Sequence, residues 1–252
     1  MSAQEGKTIP KTNVIREKLA SGEGSPYQTY KALTIGSGSL WSFVRYEVLT
    51  SFLGPLPGAA GYLLRKILYK KLFKKVGRGL IIGRNVVIRH PDKITIGNNV
   101  TIDDNSVIDG RGSGNEGIVF EDNVLVNRNC MILAKTGPIR IGKRSSIGSN
   151  SVIVSISGVR IGESVLTAGG MYISAGSYRF DDPDIPVMDQ DAYSLGPVEI
   201  GSGAWMGTRV TILDGVIVGS GAIVGACSMV NKAIPPFSIA VGTPAKVIRM
   251  RK

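Results

Sequence analysis

Tyr178, Arg179, Asp181 and Asp182 crowd into five positions at the start of a polar stretch, Ser177 to Leu195, that also holds Asp184, Asp189 and Asp191. A phenol and carboxylates placed together can take a proton from a hydroxyl group, so general-base chemistry is open to this run. Tyrosine titrates near ~10 and is a poor base at neutrality unless a cation lowers it, and Arg179 is such a cation in sequence. Asp181 or Asp182 would serve instead if desolvation raised a carboxyl toward working pH. The single imidazole, His90, lies far upstream within Ile88-Arg89-His90-Pro91-Asp92-Lys93. Neither Cys130 nor Cys227 has metal-ligand spacing to it, so no metal site is expected and both thiols read as small buried hydrophobes in a reducing compartment.

The elements that position these groups repeat with a period of six. Aliphatic residues return as Ile96/Ile102/Ile108, Phe120/Val126/Ile132, Ile141/Ile147/Ile153, Ile161/Thr167/Ile173, Ile200/Met206/Ile212 and Val218/Val224/Val230, with a partial set at Ile82/Ile88. Neither a helix repeating at 3.6 nor a strand repeating at 2 gives this pattern. A chain that turns a corner every six residues does, closing a triangular coil after three turns with the repeated residue inside. Each coil buries its apolar corners only by stacking, so the chain reads as an all-β solenoid, a parallel β-helix of about seven coils. Small and polar residues follow the aliphatic ones, as in Gly97-Asn98-Asn99, and suit corners where Gly and Asn tolerate positive φ. Coils stack one strand spacing apart, so His90 in coil one and Tyr178 four coils later stand roughly 19 Å apart along the axis. His90 is therefore not the base of a site at Tyr178. It serves either an alternative site where coil one meets the preceding helix, or as a corner residue held by Asp92 or a backbone carbonyl.

The hexapeptides, with Trp205-Met206-Gly207, Asp214-Gly215-Val216 and Ile234-Pro235-Pro236 through Gly242-Thr243-Pro244-Ala245-Lys246, resemble the hexapeptide-repeat acyltransferases over roughly residues 80 to 250. The sugar O-acetyltransferases are similar members. The resemblance implies a left-handed coil, an exception to the right-handed crossover rule, and a homotrimer with its site in a cleft between subunits. It implies acetyl-CoA or another acyl-CoA as co-substrate, with no metal. Positions matching Ala204, Gly225 and Ala226 would line the pantetheine arm, Ser228, Lys232 and Lys246 the nucleotide end, and Trp205 either the pocket wall or the trimer interface. Corner N–H groups can polarise a thioester carbonyl, and lysines can meet phosphates. Relatives place a His where this chain has Tyr178, and an acid where it has Arg179. The implied function is acyl transfer, most simply O-acetyl transfer, to a sugar or lipid-linked sugar hydroxyl. Acyl-carrier protein is the alternative donor, and a non-catalytic trimeric scaffold that lost its base is the alternative role.

The formal charge of +11 is concentrated ahead of the solenoid, where Arg65, Lys66, Lys70, Lys71, Lys74, Lys75 and Arg78 lie within fourteen residues. On a helix, Leu68, Tyr69, Leu72, Phe73 and Val76 would form one apolar face, with Lys66, Lys70, Lys71, Lys74 and Arg78 crowding the other. The apolar stretch before it is broken by Pro55 and Pro57 and is too short to span a bilayer. Residues 51–78 therefore read as a segment lying on an anionic membrane surface, with Trp41, Phe43 and Tyr46 as further interfacial anchors, or as a cap on the first coil. No nucleic-acid motif accompanies the basic run. The expected organisation is a flexible arm over 1–25, a helical basic segment over 26–79, the β-helix over 80–233 with a loop at 177–195, and a C-terminal tail over 234–252. The expected location is cytoplasmic, on the inner face of the cell membrane.

Overall fold

A computed structural model describes residues 6–9, 25–36, 38–112 and 117–251. Seven coils form the body. Each contributes one strand to each of three parallel sheets, here called the first, second and third faces. Coil one uses Lys75–Val76, Ile81–Ile82 and Val87–Arg89; coil five Val159–Ile161, Leu166–Thr167 and Tyr172–Ala175; coil seven Ile217–Val218, Ile223–Val224 and Met229–Val230. Register is in step from coil to coil, as in Ile132↔Ile108 and Ile132↔Ile153. All the six-residue triads point inward, and none of their members is more than 2% exposed. Thr167 is the one polar member, and its hydroxyl accepts from the Gly148 N–H at 2.9 Å. Corner asparagines take positive φ, among them Asn99, Asn123 and Asn129. Their side chains form ladders, with Asn99 Nδ2 donating to Asn123 Oδ1 at 3.2 Å.

Helices α1 (Pro26–Thr34), α2 (Leu40–Leu53) and α3 (Gly58–Leu68) precede the coils. Ser25 opens α1 through a capping box with Gln28, and the Ser39 hydroxyl accepts from the Ser42 N–H at the start of α2. The expected single helix through residue 78 does not form. A 3-10 turn at Tyr69–Lys71 follows α3, and Lys75–Val76 is already the first strand of coil one, so the solenoid starts earlier than residue 80. Tyr69, Leu72 and Phe73 are buried as the apolar pattern requires. Arg65, the first cation of the basic run, is buried. It donates to the carbonyls of Ile82 (3.0 Å), Leu53 (2.8 Å) and Leu56 (2.7 Å). The Tyr46 hydroxyl likewise donates to the Ile88 carbonyl at 2.6 Å. These strand carbonyls have no preceding coil to pair with, so Tyr46 and Arg65 satisfy the open end of the solenoid. The helices thus cap coil one.

Two other segments are more structured than a flexible arm and a tail. Lys7–Ile9 pairs antiparallel with Ala192–Ser194, while residues 1–5 and 10–24 lie outside the described residues. Ser238–Gly242 and Ala245–Met250 form a hairpin that extends the second face to nine strands. Of the two cysteines, Cys130 is buried and its thiol pKa is raised by burial, but Cys227 is exposed at a positive-φ corner.

Candidate active site

The long loop leaves the corner after the third strand of coil five and returns at the first strand of coil six, Val198–Ile200. Its two ends form a short antiparallel pair, Ser177–Tyr178 with Ala192–Ser194, and Lys7–Ile9 adds a third strand outside. Asp214, at the matching corner of coil six, anchors the returning end. Its carboxylate accepts from the hydroxyls of Ser194 (2.8 Å) and Ser157 (3.3 Å) and from the Leu195 N–H. The sequence marks Asp214 only as part of a motif; its role emerges once coils five and six are stacked.

Tyr178 is 41% exposed. Arg179, the cation next to it in sequence, has its contacts elsewhere. The guanidinium lies 5.9 Å from the Tyr193 ring centre, donates to Thr8 Oγ1 at 3.3 Å, and pairs with Asp181 at 3.5 Å. Nor is either carboxylate desolvated in the single chain. The Asp181 side chain is 70% exposed, and exposed Asp182 accepts the Asp184 N–H at 2.9 Å in a turn.

His90 is 5% exposed at positive φ beneath α1. Its Nε2 lies 3.0 Å from the Ala32 carbonyl, which makes Nε2 the protonated nitrogen, and its backbone N–H donates to Thr34 O at 2.6 Å. The holding group is thus a backbone carbonyl; the nearest carboxylate to Nδ1 is Asp109 and not Asp92, at 3.8 Å beyond hydrogen-bond reach. Asp109 also pairs with Arg111 at 2.7 Å. Burial pushes the Asp109 carboxyl up, but the His90 and Arg111 contacts outweigh it and hold it below the ordinary range. Gly36, at φ +69°, lets the chain pass over the ring, where a Cβ would stand 2.9 Å from His90 Cδ2. Covered in this way, His90 fastens α1 to coil one.

The residues matched to the acyl donor gather mainly at another corner, between the second and third faces. Gly225, Ala226 and Ser228 lie there beside the end of the C-terminal hairpin. Ser228 Oγ accepts from the Gly242 N–H at 3.0 Å, and Lys246 pairs with Val241 across the hairpin. Trp205 stands outward on the second face, 48% exposed. The Gly225 N–H is committed to Ala240 O at 2.8 Å and the Ala204 N–H to Gly201 O at 3.4 Å. Among the described residues the Ala226 N–H meets no acceptor. Lys232 and Lys246 are exposed and form no ion pair among the described residues, as phosphate contacts require. Lys232 sits at the end of coil seven's third strand, two coils beyond the loop.

Within one chain the base of the loop and the donor corner are separated by the width of the third face. Six residues at strand rise make that roughly 20 Å. A groove of about 490 Å³ on the first face, between Arg140, Arg160 and Glu199, contains none of these residues. The outer faces differ in kind. The first carries the ion pairs Arg140–Glu121 and Arg160–Glu199. The second exposes Leu125, Leu166 and Trp205, and the third Val87, Met131 and Tyr172. Among the described residues no three His, Cys, Asp or Glu side chains gather as a metal would need, and no helix is long and apolar enough to cross a membrane.

The family model for the hexapeptide repeat of succinyl-transferase matches residues 138–175 and 197–232, flanking the loop on both sides. Rv3034c of Mycobacterium tuberculosis, named as an acetyltransferase, is 40% identical over 121 residues; these cover 48% of this chain but only 40% of that protein's length. WbbJ of Escherichia coli K12, named for lipopolysaccharide-biosynthesis O-acetyl transfer, is 32% identical over 200 residues, covering 76% of this chain and 89% of WbbJ. AntD, an N-acyltransferase of Bacillus cereus crystallised with dTDP and coenzyme A, shares the fold at a TM-score of 0.50 and 24% identity, over 73% of this chain and 88% of that one. With its seven parallel coils and this likeness to WbbJ over three quarters of its length, the chain belongs to the hexapeptide-repeat acyltransferase family.

Proposed function

We propose that this protein is an acyl-CoA-dependent O-acyltransferase, most simply an O-acetyltransferase, acting on the hydroxyl of a sugar or lipid-linked sugar. The observation that carries the reading is the 200-residue match to a protein named as an O-acetyl transferase, laid on coils whose one long loop falls between the two matched repeat segments. In the reaction the acceptor O–H loses its proton to a base, its oxygen bonds to the acyl carbon, and the C–S bond breaks; coenzyme A leaves as the thiol after taking up a proton. Ala226 supplies a free N–H toward the donor, and Lys232 and Lys246 supply charge for its phosphates.

The active unit is a homotrimer. Two of the three outer faces are apolar and flank the donor corner, and a neighbouring subunit's donor corner brought against the loop would join two groups that one chain keeps a face apart. The proton acceptor is Tyr178 or, once a neighbour desolvates the loop, Asp181 or Asp182. Residues 51–78 rest on an anionic membrane surface at the inner leaflet, which suits an acceptor carried on lipid.

Thiol release from acetyl-CoA, with and without a membrane lipid extract, tests the reading beside Tyr178→Phe and Asp181→Asn. Lipid-stimulated release that fails in one variant while acetyl-CoA still binds by calorimetry identifies the base. Release unchanged in both variants leaves Asp182 as the loop's remaining base, and release unchanged in Asp182→Asn too removes the loop from the chemistry. No release and no acetyl-CoA binding would favour the scaffold role that the Tyr178 replacement and the turned-away Arg179 also fit, or a donor on acyl-carrier protein.

A further inference from the structure

Helix α2 is apolar on two opposite sides. Phe43, Tyr46, Leu49 and Leu53 turn inward and pack on the core. On the other side Trp41, Val44, Val48 and Phe52, spaced by three or four, are 82%, 41%, 49% and 72% exposed. A helix on a protein surface ordinarily turns polar residues that way; here Arg45 is the only charge on that stripe. Trp41, Val44, Val48 and Leu49 with Ser42 and Arg45 line a shallow groove of about 490 Å³. Tyr62, Leu63 and Ile67 of α3 are exposed as well. An apolar surface of this kind needs a cover that the described residues do not supply.

The surrounding charge says what the cover is. Between residues 40 and 79 there are eight Lys or Arg and one acid, Glu47. Glu47 accepts from the Tyr30 hydroxyl at 2.9 Å. Lys66, Lys70, Lys71, Lys74, Lys75 and Arg78 make no ion pair among the described residues. Two copies joined through this face would bring two polybasic runs together, whereas an anionic lipid surface neutralises them and takes up the apolar stripe at once.

We infer that the outer face of α2, continued by Tyr62, Leu63 and Ile67 of α3, seats in the headgroup region of an anionic bilayer and stands the solenoid upright, so that the acceptor hydroxyl lies well out along a lipid-linked oligosaccharide. The orientation follows from the cap: α2 and α3 satisfy the downward carbonyls of coil one through Tyr46 and Arg65, so their outer sides face away along the axis. Tyr178 leaves coil five, four strand spacings or roughly 19 Å higher, above a helical layer about 10 Å thick. A sugar joined directly to the lipid would not reach it; one several units out would. The acceptor part of the inference rests on the acyltransferase reading, and the docking part does not.

Flotation of the full-length protein with phosphatidylglycerol-containing and pure phosphatidylcholine vesicles tests the docking. Binding to the anionic vesicles alone is expected, weakened by salt, and Trp41→Ser with Phe52→Ser should lower it by on the order of tenfold at an unchanged melting temperature. Equal binding by the double variant, or no binding by the wild type, overturns it. So does a change of sedimentation mass in the double variant with vesicle binding intact, which would make the face a contact between copies. For the acceptor, rates of acyl transfer are compared for a lipid-linked monosaccharide and a lipid-linked oligosaccharide ending in the same sugar, both in vesicles, with the free oligosaccharide as reference. A preference of about tenfold or more for the longer lipid-linked acceptor is expected. Equal rates overturn the stand-off while leaving the acyltransferase reading in place. Failure of the free oligosaccharide as well removes that reading, and flotation still decides the docking.

Discussion

The coils and their helical cap bury apolar residues by different rules. In the coils each inward residue meets its equivalent in the coils above and below, as Ile132 meets Ile108 and Ile153, so one period assigns every side chain. In the cap, α2 is apolar on both sides, one sunk into coil one and the other bare. A coil ends its strands on another coil, but the cap must end them with side chains. Tyr46 and Arg65 do so by donating to Ile88 and Ile82. Closing a solenoid is thus a problem of unpaired carbonyls as much as of apolar cover.

The contrast breaks most visibly at two phenylalanines. Phe120 is fully buried within coil three, and Phe52 is 72% exposed on α2. Phe120→Ala should cost about 3–5 kcal/mol and Phe52→Ala no more than about 0.5 kcal/mol, read from denaturant midpoints. A large cost at Phe52 would mean that the outer stripe is covered within the folded protein.

The fastening of α1 to coil one comes next. Asp109, 2% exposed, is held by Arg111 and faces His90. Asp109→Asn should destabilise by about 2–3 kcal/mol at neutral pH. The Asp109 pKa is depressed in the folded chain, so its stabilisation is present above the unfolded carboxyl range and is lost as pH falls through the folded value. Melting temperatures of wild type and variant should therefore converge below about pH 4. A gap that stays constant down to low pH would assign the effect to packing alone. Arg65→Met, which leaves three carbonyls without a donor, should cost roughly 2 kcal/mol and raise hydrogen exchange in α3 and in coil one before the other coils.

Much of this was legible in the sequence, and the boundary is physical. The period of six fixes the inward residues, the coil count and the place of the loop because coils repeat the same environment. It is silent where an environment occurs once. Arg65 reads only as one more cation of the basic run until the open end of coil one is there to bury it. Cys227 reads as buried, but it falls at a corner. The antiparallel pairing of Lys7–Ile9 with Ala192–Ser194 joins segments more than 180 residues apart, with no periodicity to announce it. At the candidate site, the replacement of a histidine by Tyr178 is plain from sequence. The direction of Arg179 is not, since Tyr193, Thr8 and Asp181 compete for it across the loop.

The smallest expected effect falls on that tyrosine. Tyr178 is 41% exposed, its strand is held by backbone pairing to Ala192, and Asp214 anchors the loop from the other side. Neither support uses the phenol, so Tyr178→Phe should change stability by less than about 0.5 kcal/mol. Asp214→Ala, by contrast, should cost about 1 kcal/mol and speed proteolysis within 177–195, because the returning strand loses its acceptor. A Tyr178→Phe protein that keeps its stability and its resistance to proteolysis but loses turnover places the hydroxyl in the chemistry. If it instead unfolds or is cleaved like Asp214→Ala, the phenol is holding the loop, and the proton acceptor lies with the carboxylates.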